Sequence, residues 1–421
     1  MSHDGRGVAR VEGKAVFIAG ALPGEDLSFV YTGRARRHDE GRVAEIFKAS
    51  DERVAPRCAH VDICGGCSLQ HQAPERQILH KQQTLLDNLE RIGKVVPANL
   101  LAPLTGPCWG YRHKARLGVR YVHKKGRVLV GFREKQGRYL ADLKRCEVLH
   151  PSVGERIEEL AQLIQELNAR EQIAQIEVAV GDDASVLVLR NLVPLDADDG
   201  ARLIEYARRT GLHLQLQPAG PDSVQPLFPE VPDLCYRLPE QGLEFRFLPT
   251  DFTQVNPVIN RRMVDQALAL LALESTDRVL DLFCGLGNFT LPIARHASRA
   301  MGVEGDVALV QRAWTNAQRN GIENVHFAVA DLSQDAAGQP WLQGPYDKVL
   351  IDPPRSGARE MLPHLAALKP ARLVYVSCNP GSLARDAGIL VHEHGFRLDA
   401  AGVMDMFPHT THVESMALFT R

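Results

Sequence analysis

From about residue 249 to Arg421, short apolar runs alternate with segments of helical period. That alternation leaves few options, because strands buried on both faces and linked by helices form a doubly wound, mostly parallel α/β sheet. The clearest run is Leu373-Val-Tyr-Val-Ser-Cys-Asn-Pro380, which carries a thiol, Cys378, to its carboxyl end. Sheets of this class keep their chemistry just beyond the carboxyl ends of their strands. Asp281-Leu-Phe-Cys-Gly-Leu-Gly-Asn288 and Asp352-Pro-Pro-Arg-Ser-Gly357 close two earlier runs, and Met404-Asp-Met-Phe-Pro-His-Thr-Thr-His-Val-Glu414 follows the thiol.

The chain of 421 residues has room for two or three domains. Residues 5–50 read as four short strands with a turn at Ala21-Leu-Pro-Gly24, a pattern that suits a small antiparallel barrel. Residues 51–74 are irregular and cysteine-rich, and 75–92 have helical period with Ile78, Leu85, Leu86 and Leu89 on one side. Residues 111–148 look like hairpins, and 152–240 alternate helix and strand.

Net charge is −2, so the whole chain has no signature of a nucleic-acid binder. Between Arg112 and Arg145, however, twelve Lys/Arg stand against two Asp/Glu, with His113, Tyr121, His123, Phe132 and Tyr139 interleaved. Such a stripe suits an RNA backbone with stacked bases, and equally a solvated face. No apolar run approaches the roughly 20 residues of a membrane span, and the polar start fits no signal peptide. No membrane and no DNA partner is expected, and the location is expected to be cytoplasmic. Eight cysteines in such a chain point to reduced thiols or metal ligation.

Residues 277–283 read as a strand, 284–287 as a tight loop and 288–295 as a helix start. Glycines let the backbone approach a ligand, and a helix N-terminus favours a carboxylate. A nicotinamide fingerprint wants a third glycine where Thr290 stands, which disfavours a dinucleotide oxidoreductase. The next two strands end in Glu304 and Asp331, placed for a ribose diol and an adenine amino group; the plain alternative is that both cap helices. Loop, acid and acid in this order resemble class I S-adenosylmethionine-dependent methyltransferases.

Pro353 and Pro354 stiffen the turn after Asp352, and Arg355 stands where adenine-N6 enzymes carry an aromatic. A thiol is needed for methylation of a pyrimidine carbon, since C5 is a poor nucleophile until something adds to C6. Cys378 fits that nucleophile, against the bland reading of a structural cysteine. Glu414 fits a base, with His409 and His412 as rivals. Cys108, Cys235 and Cys284 read as core or loop residues. Cys58, Cys64, Cys67 and the distant Cys146 suit tetrahedral zinc or an iron–sulfur cluster.

The 352–357, 375–379 and 404–414 segments are similar to the signatures of the RNA uracil-C5 methyltransferase family, and the cysteine set resembles its bacterial 23S ribosomal RNA branch. The resemblance covers nearly the whole chain. It implies three domains: a TRAM-like, OB-like β-barrel over 1–50, expected to lack its first strand; a central α+β iron–sulfur domain over 51–245; and a class I (Rossmann-like) methyltransferase domain over 246–421. It implies Cys378 as nucleophile and Glu414 as proton acceptor. Gln254, Phe283, Asn288, Glu304, Asp331 and Asp352 would line the S-adenosyl-L-methionine site. Cys58, Cys64, Cys67 and Cys146 would hold a [4Fe–4S] cluster. Ser382 departs from the family's common threonine. The implied substrate is a uridine flipped out of looped or single-stranded 23S rRNA. The alternatives are a tRNA uracil-C5 methyltransferase and a lapsed RNA-binding assembly factor.

Overall fold

The computed structural model describes residues 1–135, 137–230 and 234–421, which build three main sheets. The first comprises β1 (Gly7–Val11), β2 (Lys14–Ala19), β3 (Asp26–Arg34) and β4 (His38–Lys48), in the order β1-β2-β4-β3. The strands fall where the apolar runs predict. Among the described residues β1 and β3 do not pair, so the ladder is open at both edges, and β2 and β4 run parallel where an antiparallel arrangement was expected. Its buried core is only Val16, Ile18 and Ala21, too little to stand alone, and an Arg53–Glu25 ion pair ties it to the loop that follows.

Helix α1 (Pro74–Asn88) ends in a π turn that runs to Gly93. Ile78, Leu85 and Leu89 are buried as their spacing predicts; Leu86 is half-buried. This face packs on the third sheet, to whose edge β5 (Asn99–Leu100) adds a short strand.

The second sheet holds β6 (Lys114–Val122), β7 (Arg127–Gly131), β8 (Ile173–Val180), β9 (Ser185–Asn191), β10 (His213–Leu216) and β11 (Gln225–Phe228), in the order β11-β10-β9-β8-β6-β7. Helices α2 (Pro151–Gly154), α3 (Ile157–Gln165) and α4 (Ala197–Thr210) belong to the same layer pair, with Leu160, Ile164, Leu203 and Tyr206 in its core. On β6 the period of two is strict: Ala115, Leu117 and Val119 face inward, while Arg116 and Arg120 are exposed.

The hairpin β12 (Cys235–Leu238) and β13 (Leu243–Arg246) leads into the third sheet. That unit contains α5 (Pro257–Leu271), β14 (Arg278–Leu282), α6 (Thr290–Ala294), β15 (Arg299–Glu304), α7 (Val307–Arg319) and β16 (Val325–Val329). It continues through β17 (Lys348–Ile351), α8 (Leu362–Leu368), β18 (Arg372–Ser377), α9 (Pro380–His392), β19 (Arg397–Met404) and β20 (Glu414–Thr420). The order is β16-β15-β14-β17-β18-β20-β19-β5. The first five strands are parallel, and β20 runs antiparallel between β18 and β19. Strand order reverses between β14 and β17, and open α/β sheets bind ligands at such a switch point. The hairpin packs here too: the Asn316 and Asn320 side chains of α7 bond the backbones of Arg246 and Glu244.

Candidate active site

The loop after β14 lies at the switch point. Phe283 has φ +63°, a conformation that a bulky side chain adopts only under constraint. Gly287 at φ +93° needs no side chain, and an added Cβ would crowd Leu291. Glu304 reaches back from β15: Oε2 accepts from Gly285 N at 3.0 Å, and Oε1 from Gly305 N at 2.8 Å. It does not cap α7, because Asp306 does, accepting from Ala308 N at 2.7 Å. Asp331 is exposed and caps no helix; it accepts from Ser333 N and Oγ within its own turn.

The Asn288 amide makes three hydrogen bonds and keeps one Nδ2 hydrogen for another acceptor. Its Oδ1 accepts from Tyr236 (2.9 Å) and Asn260 (3.1 Å), while its Nδ2 donates to Asn260 Oδ1 at 2.9 Å. Gln254 shares a cavity with Tyr236, Asn260, His113 and Phe247. Its loop is anchored by the Asp251–Arg312 ion pair, 2.5 Å long.

Asp281, the first residue of the glycine motif, is buried and accepts from Thr290 Oγ1 at 2.5 Å; among the described residues its Oδ1 has no partner. Burial, reinforced by Asp352 and Glu304, lifts its carboxyl to about 8. Asp352 is lifted by burial to about 7.

Cys378 sits on the elbow between β18 and α9. Asn379 makes the elbow: its Oδ1 accepts from Gly381 N at 2.9 Å as helix cap, with Pro380 opening the first turn. Ser377 Oγ braces the bend, accepting from Asn379 N at 3.1 Å and donating to its carbonyl at 3.0 Å. β18 and β20 pair antiparallel up to Ser377 opposite Ser415, and Cys378 and Glu414 are the residues that flank this last pair, one just beyond β18 and one at the start of β20. Directly opposed residues place their Cβ atoms roughly 5 Å apart. The electrostatics agree. Burial lifts the thiol to about 11, aided by Glu414 and Asp352 and opposed by Arg355. Burial also lifts Glu414 to about 8, aided by Asp352 and opposed by Arg355 and Lys81. The structure therefore brings Cys378, Glu414 and Asp352 together at one sheet edge.

The rival histidines separate. His409 is buried, stacked on Trp109 at 4.0 Å, and burial drops its ring to about 4. His412 is exposed, with Nδ1 3.2 Å from Arg355 Nη2; partial desolvation and that cation lower its pKa. Residues 405–413 form an irregular turn between β19 and β20, with Asp405 and His409 drawn into contacts with α1.

Cys58, Cys64, Cys67 and Cys146 line one cavity with Phe132, Arg112 and Arg145. Burial lifts Cys67 to about 12 and Cys146 to about 11, and the neighbouring thiols push the same way. Among the described residues no group of three or more His, Cys, Asp or Glu side chains could hold a single metal ion. Cys235 and Cys284 are buried in the core, as expected. Among the described residues no helix is long and apolar enough to cross a membrane.

Sequence reading missed the partners that aim these groups. Asn260 and Tyr236 lie far from the motifs in sequence. Lys81 was detectable, as the one charge on the apolar face of α1.

The profile of the tRNA (Uracil-5-)-methyltransferase family matches residues 233–421. The 23S rRNA (uracil(1939)-C(5))-methyltransferase RlmD of Alkalilimnicola ehrlichii is 56% identical over 423 residues, spanning 100% of this chain and 95% of that protein. The protein of the same name in Methylococcus capsulatus is 55% identical over 422 residues, with the same coverage. Among solved structures, Pyrococcus abyssi tRNA (uracil-54, C5)-methyltransferase in complex with S-adenosyl-L-homocysteine superposes with a TM-score of 0.76. It covers 100% of this chain and 98% of its own at 22% identity, a likeness of fold.

Proposed function

We propose a mechanism from one premise: the chain belongs to the RNA uracil-C5 methyltransferase family and is an RNA m5U methyltransferase. Its substrate is a uridine of 23S ribosomal RNA, displaced from its stack so that the ring can enter the sheet edge. The observation that carries the reading is that Cys378 and Glu414 flank the last β18–β20 pair, close enough to each other and to Asp352 for both carboxylates to act on the thiol.

S-adenosyl-L-methionine, when bound, supplies an electrophilic methyl group. The residues present fit it: a glycine turn, Glu304 beside that turn, and a buried Asp281 oxygen left for a donor. Phe283, Asn288, Asp331, Gln254 and Asp352 complete the lining. The Cys378 thiolate adds to C6 of uracil, and the electron pair moves toward C5 and O4. C5 takes the methyl group. Glu414 then removes the C5 proton, the C5–C6 double bond re-forms, and the C6–S bond breaks to return the thiolate. His409 serves the turn and takes no proton.

Cys58, Cys64, Cys67 and Cys146 would hold a [4Fe–4S] cluster. The four thiols line one cavity; four cysteines serve zinc or an iron–sulfur centre alike, and the family resemblance favours the cluster. Its role is structural, since methyl transfer moves no net electrons. The first sheet and the basic stripe, with exposed Arg116 and Arg120, grip looped RNA in the cytoplasm. Residues 1–50, 51–245 and 246–421 divide the work as RNA-binding, cysteine-bearing and catalytic units.

RNA carrying 5-fluorouridine tests the chemistry, because a C5 fluorine cannot leave as a proton. A denaturation-resistant RNA–protein adduct that disappears in Cys378→Ala is expected; no adduct sinks the mechanism. Assaying tRNA beside 23S rRNA decides the substrate.

A further inference from the structure

A lysine ammonium is costly to bury, and Lys81 is 1% exposed. It projects from the α1 face otherwise made by Ile78, Leu85 and Leu89. Its Nζ donates to Asp405 Oδ1 at 2.7 Å and to the Phe407 carbonyl at 3.0 Å. Asp405 is 3% exposed. An apolar pair of similar size would pack there at lower cost, so stability alone is a weak reason for the ion pair.

The bonds around it converge on one turn. Gln77 grips His409 twice: Oε1 accepts from His409 N at 2.8 Å, and Nε2 lies 3.1 Å from Nδ1. That holds His409 at φ +65°. The backbone N–H groups of Ser68 and Leu69 both donate to the His409 carbonyl at 2.9 Å, and the Tyr111 hydroxyl donates to the Pro408 carbonyl at 3.0 Å. Asp405, Phe407, Pro408 and His409 are thus held from outside the sheet, and Glu414 opens β20 at the end of the same turn. Cys378 rides on a separate elbow with its own braces.

We propose that Lys81 is a positioning residue for Glu414, locking the 405–409 turn so that the carboxylate stands opposite Cys378. The proposal rests on Glu414 as the base. It assigns Lys81 to one half of the reaction: Cys378 addition and methyl transfer do not use Glu414, whereas proton removal does. The Lys81 charge also lies near enough to favour the ionised form of Glu414.

The experiment compares two single-turnover rates in the full-length protein, with a melting transition as the folding control. In Lys81→Met, turnover on uridine RNA is expected to fall about 10²-fold, the cost of a misplaced catalytic group. Methylated covalent adduct should accumulate, and trapping by 5-fluorouridine RNA should stay within about twofold of the parent. Parallel loss of trapping and turnover, or unchanged turnover, overturns the proposal. Lys81→Met/Asp405→Met removes both charges and keeps apolar packing, so it must show the same split if the single variant fails to fold. Glu414→Gln separates the premise from the proposal: without adduct build-up in that variant the base reading fails, whatever Lys81 does.

Discussion

Two thiol environments can be compared in this molecule. Cys378 and the Cys58–Cys64–Cys67–Cys146 set all hold their protons more tightly than a free thiol, with burial as the largest cause in each. The secondary causes differ. Around Cys378 the extra negative charge is carboxylate, from Glu414 and Asp352, with Arg355 opposing. Around Cys67 it is other thiols, with a Gln70 hydrogen bond opposing. A cluster of mutually repelling thiols is relieved by a metal centre that takes all four charges at once. A thiol among carboxylates is relieved one proton at a time. The first arrangement suits ligation and the second suits chemistry that must form and break a bond to sulfur.

The strongest way to break this contrast is Cys378→Ala, for which turnover should fall at least about 10⁴-fold while the melting transition stays put. Cys67→Ala should do the opposite. On the proposed ligation, the iron content and visible absorption of the parent should be lost and stability fall by about 3 kcal/mol, measured by chemical denaturation; a parent without iron refutes the ligation. Loss of turnover without loss of stability there would erase the distinction.

Asp352→Asn sharpens the contrast. Activity should drop about 10²-fold. With a negative neighbour gone, Glu414 should ionise below its present value of about 8, so the acid limb of kcat/KM should move to lower pH.

The smallest effect is on stability. Asp281, Asp352 and Glu414 have folded-state values of about 8, 7 and 8, above the unfolded range near 4. The folded protein therefore binds more protons, and their contribution is fully present below about pH 4 and lost as pH rises through 7 and 8. The cofactor-free melting temperature should decline across that window. S-adenosyl-L-methionine should flatten the decline more than S-adenosyl-L-homocysteine, which lacks the sulfonium charge.

Much of this was legible in the sequence. The parallel strands announced themselves as continuous apolar runs, and strand ends delivered Glu304, Asp352 and Cys378 to one edge. Local rules could not settle what depends on distant partners. His409 and His412 looked alike until Trp109, Gln77 and Arg355 took their places around them. The free oxygen of Asp281 is a fact of packing, invisible in a motif. Four short strands suggested an antiparallel barrel, yet only pairing fixes strand direction, and here β2 and β4 run parallel.

The Lys81–Asp405 contact joins positions 324 residues apart. The N-terminal part of the chain therefore supplies a brace that the C-terminal sheet cannot make for itself: without α1, residues 246–421 would carry Glu414 on a turn that has lost Lys81 and Gln77.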